Sequence, residues 1–395
     1  MLNTSFSSWP NYSEEEVFAV SEVLRSNKVN YWTGQEGREF EKEFAAYTDN
    51  KYAIALANGT LALDLALHTL SIGDGDEVVV TSRTFIASIS SIVNAGATPI
   101  FADVELNSQN ISAQTIKAVL SDKTKAIICV HLAGWPCEMD DIMALAEEKN
   151  LYVIEDCAQA HGTKYKGRSV GSIGHIGAWS FCQDKIMTTG GEGGMLTTNH
   201  ESLWRKAWAF KDHGKSYAAV YEKEHPPGYR WLHESFGTNW RLTEMQSAIG
   251  RIQLKRMPDW TKLRNANAER IFQVCRQYDW LVVPNVPDYI VHAYYKCYVF
   301  VDIDKLPNNT SRDDIIDIIN KLGVPCYSGS CSEVYKEKAF EKNNLRPKKA
   351  LKNAKVLGDT SLMFLVHPTL TSTEMNTICR TLNQAFEMID DSNKS

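Results

Sequence analysis

Asp156 sits at the end of the apolar run Leu151-Tyr152-Val153-Ile154, and Lys185 follows 29 positions later in Trp179-Ser180-Phe181-Cys182-Gln183-Asp184-Lys185, just ahead of a glycine-rich turn. A lysine amine can hold an aldehyde covalently, and a buried carboxylate can keep a pyridine nitrogen protonated so that the ring accepts electrons. Together the two residues could operate one pyridoxal phosphate. Taken singly, Asp156 reads as a turn cap or salt-bridge partner, and Lys185 as a surface lysine, because lysine is rarely buried. The weight lies in the combination with Thr188-Thr189-Gly190-Gly191-Glu192-Gly193-Gly194, whose glycines permit close backbone approach.

Asn58-Gly59-Thr60 sits between an apolar run and a helical pattern. A glycine and a hydroxyl residue at a helix N-terminus present free N–H groups and a positive dipole end, which suits phosphate; the plainer reading is a simple cap. Ser180 could add a hydroxyl to the same anion or merely pack within a strand. Gln159, three residues past Asp156, could hydrogen-bond a phenolic oxygen or serve as a structural amide. Phe85, in Thr84-Phe85-Ile86-Ala87, could stack on a pyridine ring or belong to the core. His161 reads first as a core histidine. Neither His131 nor His213 has carboxylate or thiol neighbours at metal-ligand spacing, so no metal site is expected.

These residues need a scaffold. Strand candidates fall at 53–57, 77–81, 99–104, 126–132, 151–155, 178–181 and 195–198, with helix candidates at 61–70, 87–95, 113–120 (capped by Ser112) and 139–149. Alternation of this kind predicts an α/β fold: a mostly parallel seven-stranded sheet flanked by helices, whose ligands gather at the carboxyl ends of the strands. Beyond Asn199 the pattern shifts. Helices at 203–210, 243–257, 313–322 and 373–389, with a strand at 298–303, suggest a smaller C-terminal α+β domain. The expected division is 1–250 for the large cofactor-binding domain and 251–395 for the smaller one.

A chain of 395 residues with 44% hydrophobic content can bury a large core. Its formal charge is −6, from 42 basic and 48 acidic residues spread along the chain, which argues against nucleic acid or anionic lipid as partners. No apolar stretch reaches the roughly 18 residues that a membrane span needs, and Met1-Leu2-Asn3-Thr4 lacks signal-peptide character, so a cytoplasmic protein is expected. Nine cysteines without a Cys-x-x-Cys pair read as reduced thiols.

Four ordered motifs carry a resemblance: Asn58-Gly59-Thr60-Leu61-Ala62-Leu63; Glu155-Asp156-Cys157-Ala158-Gln159-Ala160-His161-Gly162; Ser180-Phe181 through Lys185 to Gly194; and Gly237-Thr238-Asn239-Trp240-Arg241-Leu242-Thr243-Glu244-Met245-Gln246. They resemble the DegT/DnrJ/EryC1/StrS aminotransferases, sugar-modifying enzymes of the aspartate aminotransferase fold (fold type I). The resemblance implies Lys185 as Schiff-base lysine and Asp156 on the pyridine nitrogen of pyridoxal 5′-phosphate. It implies Gln159 near the phenolic oxygen, Phe85 as stacking platform, and Gly59, Thr60 and Ser180 on phosphate. Asn239 is implied to reach the phosphate bound by a neighbouring subunit, which makes a homodimer necessary for the complete site. One departure stands out: the family often has His-Pro-Val or a similar triplet where this chain has Cys182-Gln183-Asp184.

The implied reaction is transfer of an amino group from L-glutamate, through pyridoxamine phosphate, to a nucleotide-linked keto sugar. C-4 of a dTDP-4-keto-6-deoxyhexose is the best expectation, with the amino sugar destined for surface polysaccharide; C-3 amination and UDP or GDP carriers stay open. Within the family, sugar 3-dehydratases carry histidine in place of the Schiff-base lysine, so Lys185 argues against that rival. A non-catalytic sugar sensor is disfavoured by the intact pair. A nicotinamide oxidoreductase would require a Gly-x-Gly-x-x-Gly turn after the first strand, and Asn58-Gly59-Thr60 is not one.

Overall fold

Runs such as Glu77-Val78-Val79-Val80-Thr81 and Ala126-Ile127-Ile128-Cys129 are apolar on consecutive positions, as a strand covered on both faces requires. In the computed structural model, which describes residues 6–306 and 310–391, they lie in the middle of a seven-stranded sheet. Its strands are β1 (Tyr52–Leu56), β2 (Glu77–Thr81), β3 (Thr98–Ala102), β4 (Thr124–Val130), β5 (Tyr152–Asp156), β6 (Ile176–Ser180) and β7 (Gly194–Thr198). Their spatial order is β1-β7-β6-β5-β4-β2-β3. Neighbours pair in parallel except β7, which runs antiparallel to both β1 and β6. All seven expected strands are present, with ends shifted by a residue or two.

The principal helices are α1 (Glu14–Arg25), α2 (Glu36–Tyr47), α3 (Gly59–Thr69), α4 (Ala87–Asn94), α5 (Met139–Lys149), α6 (Glu201–Lys211), α7 (Glu244–Cys275), α8 (Arg312–Lys321) and α9 (Ser372–Asp391). Strand residues alternate between the two faces. Val78, Val80, Ile128 and Ile154 pack with Leu63 and Ala66 of α3 and Ile89 and Ile92 of α4. Val79, Ile127, Cys129 and Val153 pack with Ile142, Leu145 and Ala146 of α5. Each buried valine or isoleucine contributes about 1.5–3 kcal/mol, so slipping one strand by a residue would move its whole set to the wrong layer.

A four-stranded antiparallel sheet holds β8 (Leu281–Val282), β9 (Cys297–Val301), β10 (Cys326–Tyr327) and β11 (Ser361–Phe364) in the order β8-β9-β11-β10. It packs against Ile271 and Phe272 of α7, Ile315 and Ile319 of α8, and Leu382 and Phe386 of α9. Helix α7 starts at a capping box in which Thr243 accepts from Gln246 N–H, and it continues through Pro258. The sequence expectation stopped that helix at 257, before the proline. The missing N–H removes one helical hydrogen bond, but burial of Arg264, Asn267, Ala268, Ile271 and Phe272 on the far side keeps the helix intact. The helix thus carries the chain across position 250.

Candidate active site

The carboxyl ends of β1, β5 and β6 and the start of β7 converge on one corner. At the end of β5, Asp156 is buried and opposite Ala178 of β6. Its Oδ2 accepts from Ser88 Oγ at 2.8 Å and its Oδ1 from Ala158 N–H at 3.1 Å. Burial pushes this carboxyl above its usual range; the hydrogen bonds from Ser88 and Ala158 and the charge of Lys185 pull the other way. A cationic pyridine nitrogen would supply the counter-charge that so buried a carboxylate favours. Ser88 belongs to the first turn of α4, and its N–H donates to the carbonyl of Phe85 at 3.3 Å. The turn that grips Asp156 therefore also carries Phe85, whose ring is 67% exposed, an unusual state for a phenylalanine in a chain able to bury it.

Across β6 and β7 the phosphate candidates meet. Asn58 caps α3 by accepting from Leu61 N–H at 3.0 Å, while the N–H groups of Gly59 and Thr60 stand at the open end of the helix. A Cβ on Gly59 would lie 2.5 Å from Ser180 Cβ, and one on Gly194 would lie 2.3 Å from the Asn58 carbonyl oxygen. Only glycine lets these three segments approach, and the result is a cradle of backbone N–H groups beside the Ser180 hydroxyl. That is the donor set a phosphate needs.

Lys185 stands on the loop between β6 and β7, partly buried, with its ammonium 5.1 Å from the centre of the Tyr295 ring. Tyr295 donates its hydroxyl to Asp184, the neighbour of Lys185. Burial tends to raise the Asp184 carboxyl, but Lys185, Tyr295 and Lys296 together hold it below the ordinary range. His161 is buried against Trp179 and Phe181, and burial, aided by Lys185 and Arg264, pushes its imidazole down to about 3, so it stays neutral. Gln159 is buried and accepts from Ala133 N–H at 2.9 Å through Oε1, which directs its NH₂ group elsewhere as a donor.

Asn239 is exposed, on a stretch whose Trp240 carbonyl accepts from Ala57 N–H at 3.0 Å. The fold also brings His131, Glu155 and Cys157 together, their ligand atoms within 4.8 Å. The atoms a metal would need are already engaged: Glu155 receives His131 Nε2 at 2.9 Å and the N–H groups of Gly171, Ile173 and Gly174, while His131 Nδ1 accepts from Cys137 N–H. These contacts make His131 a prop for the loop behind β5.

The model of the DegT/DnrJ/EryC1/StrS aminotransferase family matches residues 10–383. This chain belongs to that family. The aminotransferase of Psychrobacter cryohalolentis, known from X-ray diffraction, superposes with a TM-score of 0.96 at 66% identity, over 98% of this chain and 100% of that one. GDP-perosamine synthase of Escherichia coli O157:H7 is 41% identical over 263 residues, 66% of this chain and 68% of the relative. A dTDP-3-amino-3,6-dideoxy-alpha-D-galactopyranose transaminase of Aneurinibacillus thermoaerophilus is 37% identical over 286 residues, 72% of this chain and 74% of the relative. As a family member the chain is an aminotransferase that uses pyridoxal 5′-phosphate, with pyridoxamine phosphate as the amine-carrying form.

Within this aminotransferase the sequence reading missed several residues that shape the pocket. Ser88 has no local signal, because its role arises from the 68 positions separating it from Asp156. Trp9 reaches Lys185 from the N-terminus. Lys296 did leave a trace: it is a charge within the otherwise uncharged run from Ala293 to Val301, which forms β9 and its approach.

Proposed function

We propose that this aminotransferase moves an amino group from L-glutamate to a keto sugar carried on a nucleotide. The observation that carries the reading is the placement of Asp156, buried at the end of β5 and gripped by Ser88, within the field of Lys185. The named activities of the relatives, on GDP- and dTDP-linked amino sugars, support the substrate class. Bound in the corner, pyridoxal phosphate supplies an aldehyde that exchanges amines and a ring that accepts electrons when its nitrogen is protonated.

The residues then divide the work. Gly59, Thr60 and Ser180 hold the phosphate, Asp156 keeps the proton on the ring nitrogen, Gln159 donates to the phenolic oxygen, and Phe85 covers one ring face. Lys185, once released from the aldehyde, takes the proton from the α-carbon of glutamate and later delivers one to the sugar carbon. Asn239 of a second copy completes the phosphate site, so the working enzyme is a cytoplasmic homodimer. The acceptor we favour is C-4 of a dTDP-4-keto-6-deoxyhexose, feeding surface polysaccharide.

The test is incubation with L-glutamate and a panel of dTDP-, UDP- and GDP-linked keto sugars, with products read by mass and NMR. Formation of an amino sugar with release of 2-oxoglutarate supports the reading, and ping-pong kinetics should accompany it. Removal of a ring hydroxyl without amination, or no reaction with any keto sugar, overturns it.

A further inference from the structure

Two ammonium groups lie over one ring in this pocket. Lys185 Nζ is 5.1 Å and Lys296 Nζ 4.6 Å from the centre of Tyr295. Lys296 is partly buried, and among the described residues it has no ion-pair partner. Behind it lies Arg264, only 1% exposed. One Arg264 nitrogen donates to the Tyr294 carbonyl at 3.3 Å, while Nε and Nη2 are buried without a partner. The other groups facing Lys296 are Asp184, whose carboxylate is engaged by Tyr295, and His367, which burial pushes down to about 3 and keeps neutral. Three cations therefore share a space with one carboxylate. The Arg264 guanidinium also faces the Trp9 ring at 5.1 Å but has no carboxylate partner among the described residues; holding it so in a protein interior is costly, and an anion from solution would balance it.

We propose that Lys296, backed by Arg264, is the subsite that receives a carboxylate of the amino donor. The proposal rests on the aminotransferase reading above and adds to it the residue that selects an acidic amino acid. The position fits the chemistry. Lys185 marks where the aldehyde carbon must lie, so an amino acid reacting there carries its carboxylates a few bonds away, beside the second ammonium over the same ring. The phosphate cradle at Gly59 and Ser180 is a separate corner, built of backbone N–H groups. Charge supports the assignment too: burial lowers the Lys296 ammonium to about 8, with Arg264 and Lys185 acting in the same direction and only Asp184 opposing, and a bound carboxylate would relieve that crowding.

The probe is glutarate, a dicarboxylate without an amine, titrated calorimetrically into the cofactor-loaded protein and into Lys296→Gln and Lys296→Arg. Retention of the cofactor's visible absorbance shows that each variant has folded. Lys296→Gln should weaken glutarate binding and raise half-saturating L-glutamate about 10- to 100-fold, the range for losing a charge-assisted contact. The half-saturating keto sugar should stay near its original value, and Lys296→Arg should restore most of the affinity. Unchanged glutarate and glutamate affinity in Lys296→Gln overturns the subsite. So does a defect confined to the keto-sugar half-reaction, which would assign the anion to the nucleotide phosphates. If the unaltered enzyme accepts no amino group from glutamate although it binds glutarate through Lys296, the function reading fails while the anion site stands.

Discussion

The indole N–H of Trp9 donates to the main-chain carbonyl of Lys185 at 2.8 Å, joining a residue near the N-terminus to the loop between β6 and β7. The indole also meets Trp260 edge-on at 5.1 Å and faces the Arg264 guanidinium at 5.1 Å. The N-terminal strap thus ties the lysine loop to helix α7. Trp9→Phe keeps an aromatic ring and removes the donor. Leaving that carbonyl unpaired should cost about 0.5–1.5 kcal/mol and lower turnover several-fold, read from thermal melting and steady-state rates. Unchanged turnover would mean that the strap plays no part in placing Lys185.

Lys185→Ala should abolish steady turnover and the visible absorbance of the attached cofactor. Asp156→Asn should keep the attachment and lose about 10²- to 10⁴-fold in rate, the usual size of a general acid–base contribution. Near-normal turnover in either variant, measured with glutamate and an accepted keto sugar, would refute the assigned roles.

Gly59→Ala places a methyl 2.5 Å from Ser180 Cβ. The overlap should destabilise the fold by about 1–3 kcal/mol and weaken cofactor retention. Ser180→Gly removes the opposing Cβ, so the double variant should recover stability but not the hydroxyl's share of phosphate binding. Melting temperatures and cofactor dissociation constants separate the two effects.

Ser7 is tethered to Glu374 through its N–H and hydroxyl. Burial acts to raise this carboxyl, but the N–H groups of Thr371 and Ser7 outweigh it and hold the carboxyl at about 2. The folded value therefore lies below the unfolded value of about 4.3. Its stabilising contribution is complete above that pH and fades as pH falls toward 2. Cleavage of the N-terminal strap by an acid-active protease should accelerate over that window, and Glu374→Gln should show the faster cleavage already at pH 5. Equal cleavage of the two proteins at pH 5 would rule out the tether.

The sheet was readable from the chain because period and apolarity agree at every strand, as in Val78-Val79-Val80 with both faces covered. Helix α5 matches its expected limits, 139–149, because its apolar spacing and flanking breakers coincide. Helix α7 was cut short because Pro258 is a strong local signal, and only its packing partners, distant in sequence, override it. At the candidate site, Asp156, Gly59, Ser180 and Lys185 stand out in the chain through motifs with tight spacing. Ser88, Trp9 and Tyr295 do not, since each acts across more than 60 positions of chain and single-sequence patterns hold no record of such contacts, while Lys296 showed only as a lone charge in an uncharged run.

Strand β7 is the one member of the large sheet that travels against its neighbours, and its pairing fixes Gly194 opposite both Leu56 and Ser180. The connector between residues 181 and 193 therefore has to return the chain to that register. A one-residue slip of β7 against its neighbours would exchange the faces of Met195 and Leu196 and withdraw the glycine from the Asn58 carbonyl at the same stroke. Natural variants of this enzyme should accordingly keep Lys185 and this register even where other positions of the connector differ.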